Sequence, residues 1–184
     1  MENSQIKNYF PGGNTFKGFH SFYRYLPYKC DNVFIIKGGP GTGKSTTMKS
    51  IAKEGLKRGL MIEYHWCSSD NNSIDGVVIP SKKTAIFDGT DPHLNDPEYP
   101  GALDNILNFG QCWDKSILKK NKQKIIKLNQ KISDKFNSLY HFLEIAHILR
   151  KEEENYYQKA INDKKLINIE EQLINYIIPV PNNN

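Results

Sequence analysis

The chain has 184 residues, a formal net charge of +5, and 38% hydrophobic and 24% charged residues. That composition belongs to a globular chain and excludes a disordered or collagen-like one, and the length suits one domain or one domain with an appendage. No apolar run approaches the roughly 18 residues of a membrane span, no basic stretch followed by an apolar core opens the chain, and Cys30, Cys67 and Cys112 contain no CxxC, which argues against a disulfide scaffold or zinc ribbon and for a cytoplasmic setting.

In chain order, Gly12-Gly13-Asn14-Thr15 reads as a glycine-rich turn between a short strand and a helix around Phe16 to Leu26. It is also a candidate nucleotide or partner contact. Val33-Phe34-Ile35-Ile36 is a short apolar run, read as a strand. Glycines follow at once, then a helical stretch from Ser45 to Arg58 that Gly59 ends. Leu60 to Cys67 alternates, with Leu60, Ile62, Tyr64 and Trp66 on one face and Met61, Glu63, His65 and Cys67 on the other, as a strand does. Glu63 and His65 then lie together on what is expected to be a partly exposed sheet face. Gly76 to Pro80 and Thr84 to Asp88 read as two more strands, paired across Ser81-Lys82-Lys83. Strand, helix, strand in this order predicts an α/β fold with a parallel crossover. Asp88 to Gly101, with its prolines, glycines and acids, reads as a long loop, and loops of that length are usually functional or disordered.

From Asp114 onward there is no glycine, and no proline before Pro179. Leu118, Ile125, Ile132, Leu139 and Ala146 recur every seventh residue, and Leu128, Phe136, Phe142, Leu143 and Leu149 widen the stripe. This predicts one amphipathic helix over about 114–150 or further, on the order of 55 Å long at 1.5 Å per residue. A second helix around Leu166 to Ile178 is expected to fold back on it. The expected organisation is an α/β domain over 1–112, a helical arm over 113–178 and a flexible tail over 179–184.

Gly38-Gly39-Pro40-Gly41-Thr42-Gly43-Lys44-Ser45 fits G-x-x-x-x-G-K-[ST], the P-loop or Walker A pattern. Its glycines let the backbone curl so that successive N–H groups face phosphate oxygens, and the helix that follows adds its positive end. Lys44 is expected to bridge the β- and γ-phosphates and Ser45 to ligate Mg²⁺, with Thr46 in reach of a further phosphate contact. A strand before the motif and a helix after it supply the context that the pattern requires. The structural alternative is a chance glycine turn.

Such a site also needs a carboxylate for the metal. Asp88, at the end of Ala85-Ile86-Phe87, is the first candidate, although Asp88-Gly89 is also an ordinary turn dipeptide. Asp70, in the loop after the Leu60–Cys67 strand, is the rival, because ligands in open α/β folds bind beyond the carboxyl ends of the strands. It is also a candidate to orient the attacking water. His93, in the long loop, is a weaker candidate for a substrate or base contact. The cysteines read as plain buried thiols. Arginine occurs only as Arg24, Arg58 and Arg150, none in the loops after the predicted strands, which counts against an autonomous kinase. Between Lys115 and Lys135 stand eight lysines and one acid, Asp134. That face suits either solvent or an anionic partner such as nucleic acid, but no nucleic-acid module accompanies it.

Tyr9 to Thr15, Lys17-Gly18-Phe19, Gly38 to Ser45, His65-Trp66-Cys67-Ser68-Ser69-Asp70, Asp75 to Pro80 and Asp88-Gly89-Thr90-Asp91-Pro92-His93 together resemble a poorly characterised bacterial family of ATP-binding proteins. Its members typically fuse two P-loop halves in one chain, and the resemblance covers most of residues 5–160. It implies ATP binding and says little about substrate. This chain departs from the family in having one P-loop and about four legible strands, fewer than a complete P-loop sheet needs. The expectation is therefore a single half, completed by a second half or by homo-oligomerisation.

The sequence thus predicts a P-loop NTPase-like α/β domain, with a mostly parallel sheet flanked by helices and a long C-terminal helical arm. It is expected to bind ATP with Mg²⁺ and to hydrolyse it. A kinase for a nucleotide or small metabolite, and a non-catalytic nucleotide-gated interaction module, are the alternatives.

Overall fold

The computed structural model describes residues 6–25, 30–90 and 97–178, and of Arg24 only the backbone. The chain divides into two compact units, Met1–Tyr140 and His141–Asn184.

The first unit is α/β. In chain order it contains β1 (Ile6–Tyr9), β2 (Gly12–Thr15), β3 (Gly18–Ser21), β4 (Asn32–Lys37), α1 (Lys44–Lys57), β5 (Ile62–Trp66), β6 (Ile74–Ile79), β7 (Thr84–Asp88), β8 (Asp104–Asn108) and α2 (Lys115–Lys120). Six strands form one sheet in the order β1-β5-β6-β7-β4-β8. The pairs β1–β5, β7–β4 and β4–β8 are parallel, while β6 runs antiparallel to both its neighbours. Five strands therefore share one direction, and the predicted parallel relation of the strands on either side of α1 holds. The hairpin of β6 and β7 across Pro80–Lys82 also forms as expected.

The core lies on both faces of the sheet. Ile36, Met48, Ala52, Ile62, Ile74, Val77, Ile79 and Ile86 bury against one another on the α1 side. Tyr23, Val33, Ile35, Val78, Ala85 and Phe87 fill the opposite face. The alternation read in β5 is real: Ile62 is buried with the α1-side core, and Tyr64 and Trp66 pack against it.

Several expectations are overturned. Over its described residues, Phe16 to Tyr25, the segment read as a helix is not one. Gly12–Thr15 and Gly18–Ser21 pair as an antiparallel hairpin, and Tyr23–Tyr25 is a single 3₁₀ turn. Gly18, at φ 95°, reverses the chain inside the segment read as helical. The main sheet has six strands, where the sequence shows about four, so the strand count no longer argues that a part is missing. β8 follows the 88–101 stretch and closes beside β4, with Val33 opposite Asp104. The face carrying Glu63 and His65 is partly exposed, as expected: Glu63 is half-buried, while His65 is only 1% exposed. Of the cysteines, Cys67 alone is buried; Cys30 is half-buried and Cys112 exposed. His93 and the 179–184 tail lie outside the described residues.

The helical segment breaks where one helix was expected. α2 ends at Asn121, whose N–H bonds back to Ile117 and Leu118 and whose side chain donates to the Ile117 carbonyl. α3 (Lys122–Ala160) then continues past residue 150, as the reading allowed. Asp114 caps α2, its carboxylate accepting from Ser116 and Ile117 N–H groups. In the second unit, α4 (Asp163–Ile177) is capped by the Asn162 side chain, which accepts from Lys165 N–H. No helix among the described residues is long and apolar enough to cross a membrane.

Candidate functional site

Gly38 to Gly43 connects the end of β4 to the start of α1, at the sheet edge where the parallel strands end. Ligands in open α/β sheets gather at that edge. Gly43 is the N-cap of α1 and sits at φ 85°, a left-handed conformation that residues with a Cβ rarely adopt. No side chain caps the helix and no acid stands in its first turn. The first N–H groups of α1, those of Lys44, Ser45 and Thr46, thus lack the usual side-chain acceptor and carry the positive end of the helix. The loop is braced from behind. A Cβ on Gly39 would lie 3.0 Å from the Trp113 ring, and one on Gly38 would lie 3.1 Å from Phe109 Cβ.

Lys44 is buried at the centre of this loop. Its ammonium donates to the carbonyls of Gly38 (2.7 Å) and Gly39 (3.0 Å) and lies 3.5 Å from Asp88 Oδ2. Asp88 ends β7, next to β4, with Ile36 opposite it in register. Its other oxygen accepts from Thr90 N–H at 2.9 Å, and the Thr90 hydroxyl donates to the Gly38 carbonyl at 2.8 Å. Lys37 donates to the Gly89 carbonyl at 2.7 Å. Asp88-Gly89-Thr90 and the glycine loop are therefore one hydrogen-bonded unit.

Ser45 Oγ accepts from Ile74 N–H at 3.0 Å, which ties α1 to the start of β6. Ser45 also lines the cleft. Pro40 through Thr46, Asp70, Asp75, Asp88 and Thr90 border a cleft of about 610 Å³, to which α3 contributes Ile132. The sequence-derived candidates thus converge, although Asp70 does so on different terms. Its side chain is exposed. It accepts from Asn72 N–H at 3.0 Å and from the Ser73 hydroxyl at 2.6 Å, and the Ser73 bond, then the Asn72 bond, hold its carboxyl below the usual range.

Asp75 is the site residue that sequence reasoning missed. It is 4% exposed, yet it lines the cleft, and its Oδ2 accepts from the Tyr23 hydroxyl at 3.1 Å. Burial, and then Asp75, push the Tyr23 hydroxyl far above its ordinary pKa, so it stays a donor. Burial pushes the neighbouring Cys67 thiol up to about 11, and Asp75 adds to that shift. No sequence signal flags Asp75, because its partner stands 52 residues away. The arginines sit elsewhere: Arg58 pairs with Glu54 on the exposed end of α1, and Arg150 with Glu154 on α3. No arginine lines the cleft among the described residues.

Chemically, the arrangement can hold a polyanion through main-chain N–H groups and one ammonium. Ser45 Oγ and the Asp88 carboxylate are hard oxygen donors, of the kind a small divalent cation takes with its waters. No cluster of three His, Cys, Asp or Glu side chains suited to a metal occurs among the described residues. Comparison with protein-family models, with curated proteins and with solved structures gives no match to this chain. What the fold and site define is an α/β unit with a mostly parallel sheet and a glycine loop at its carboxyl edge that leads into an uncapped helix.

Proposed function

We propose that the chain is a P-loop protein that binds ATP with Mg²⁺ at Gly38 to Thr46 and hydrolyses it. The observation that carries this reading is the uncapped start of α1 behind a glycine loop that holds a buried lysine beside Asp88. Generic glycine turns do not bury an ammonium at a strand's carboxyl edge.

Lys44 now spends its protons on the Gly38 and Gly39 carbonyls. A triphosphate offers stronger, charge-assisted acceptors, and the flexible four-carbon stem lets the ammonium turn to them. The main-chain N–H groups of the loop and of the first turn of α1 take the remaining phosphate oxygens. Ser45 and Asp88 are the residues that hold magnesium, which when bound neutralises phosphate charge. The Ile74 N–H fixes the Ser45 oxygen, and Thr90 fixes the Asp88 carboxylate. Because no arginine lines the cleft among the described residues, unaided turnover is expected to be slow.

The test is Mg-ATP turnover and nucleotide affinity of the chain against Lys44→Ala. Turnover is expected to fall by a factor of roughly 100 or more and affinity by about tenfold, each factor of ten being about 1.4 kcal/mol. The circular-dichroism spectrum should be unchanged. Equal turnover and affinity in the variant would overturn the assignment.

A further inference from the structure

Beyond the glycine loop the cleft is bordered by three carboxylates, Asp70, Asp75 and Asp88, among uncharged residues such as Cys67, Ser73 and Thr90. Asp75 is the second residue of β6, next to Ile74, whose N–H holds Ser45 Oγ. Because β6 runs against its neighbours, its first residues reach the same sheet edge as the end of β7 and Asp88. A buried carboxylate is costly unless it is hydrogen-bonded, and this one is held by a tyrosine that is itself fixed. Tyr23 is 2% exposed and meets the Phe87 ring edge-on, with centroids 6.4 Å apart. That tyrosine belongs to the buried apolar cluster of Val33, Ile35, Val78, Ala85 and Phe87, and apolar packing alone gives no reason for the carboxylate that it holds. Asp70, by contrast, is exposed and braces its own loop.

We propose that Asp75, rather than Asp70, is the catalytic carboxylate that orients the attacking nucleophile and takes its proton. The proposal rests on the reading of the glycine loop as a triphosphate site. In the step, the nucleophile's oxygen forms a bond to the γ-phosphorus as the bond from that phosphorus to the β–γ bridging oxygen breaks. The bridging oxygen keeps the electron pair and leaves on the diphosphate, and the nucleophile's proton passes to Asp75. The nucleophile is a neutral oxygen, water or an uncharged hydroxyl. Asp70, Asp75 and Asp88 border the cleft, and Lys44 is the only lysine or arginine among the described residues lining it, so an anionic acceptor would meet repulsion without a clamp.

The experiment uses the whole chain and needs no turnover. Aluminium fluoride with Mg-ADP imitates the transferred phosphoryl group with its in-line nucleophile in place, and a group that holds that nucleophile raises affinity over Mg-ADP alone. Calorimetric titration is expected to show a gain of roughly tenfold or more for the native chain. Asp75→Asn should lose most of that gain with Mg-ADP affinity kept, Tyr23→Phe should lose part of it, and Asp70→Asn should lose less than Asp75→Asn. A full gain in Asp75→Asn, a larger loss in Asp70→Asn, or no gain in a native chain that binds Mg-ADP overturns the proposal. If Asp75→Asn fails to fold, Tyr23→Phe decides, and an undiminished gain there overturns it. A native chain that does not bind Mg-ADP removes the triphosphate reading and this inference together.

Discussion

The sheet of the first unit and the helices of the second use apolar residues in opposite ways. Met48, Ala52, Ile62, Val77 and Ala85 have no exposed surface. Ile145, Ile148, Leu149, Leu173 and Ile174 are each more than half exposed. Both regions are regular in backbone, and the buried clusters of the first join residues far apart in the chain. Helical propensity and capping suffice to write α4 into the chain, with Asn162 at its start and an apolar stripe along it. Apolar burial is what places Lys44, Asp75 and Asp88 around one cleft. Structural precision and chemistry therefore coincide in the sheet, and substitutions should be felt there first.

The largest stability effect expected is in the α1-side core. Met48→Ala removes a fully buried side chain that packs among Ile36, Ile62, Ile74, Val77 and Ile86. It should cost about 2–5 kcal/mol of unfolding free energy by denaturant titration. A loss near zero would mean that this face of the sheet is not the close-packed region described.

His65 gives the next effect, and it is tuned by pH. The ring stacks on Phe87 at 5.6 Å and meets Tyr9 edge-on at 5.7 Å, and its Nδ1 is buried with no hydrogen-bond partner among the described residues. Burial pushes its pKa down to about 4 from the usual 6.5. Between those values the unfolded chain binds the proton and the native chain does not, so stability is complete above pH 6.5 and is lost as pH falls toward 4. At about 1.4 kcal/mol per pKa unit the loss is of order 3 kcal/mol. His65→Phe keeps a ring against Phe87 and removes the titration. The stability difference between the native chain and the variant should therefore shift by about that amount from pH 7 to pH 4. Parallel pH curves would show that His65 is accessible to protons in the folded state.

The smallest effect belongs to the helices. Ile174→Ala on α4 should change stability by no more than about 0.5 kcal/mol, since half of the residue is already exposed. A loss of about 2 kcal/mol or more in thermal unfolding would show that something covers that stripe.

The legibility of the site follows the same division. Gly38 to Ser45 is readable because everything it needs is adjacent in the chain: glycines for the curl, a lysine, a hydroxyl and the start of a helix. The hairpin of β6 and β7 is readable for a similar reason, two apolar runs separated by a tight turn. β1 and β8 escape a reading along the chain because most of their residues are exposed and neither shows an apolar run. They are strands because β5 and β4 offer them parallel partners. The segment after Gly12 misleads because Phe16, Phe19, Phe22 and Tyr23 fall at helix-like intervals, while pairing with Gly12–Thr15 decides the outcome.

Taken alone, then, the sequence determined the elements whose cause is local: the glycine loop, α1, the β6–β7 turn and the helical character from Asp114 onward. The tertiary structure decided what depends on residues far apart. It inserted β6 antiparallel among parallel strands, and so carried Asp75 to the same edge as Asp88. It set Tyr23 against Asp75, and Trp113 against the back of the glycine loop. Local signals act through backbone conformation within a few residues. Site geometry is set by which apolar faces bury together, and a pattern read along the chain does not contain that.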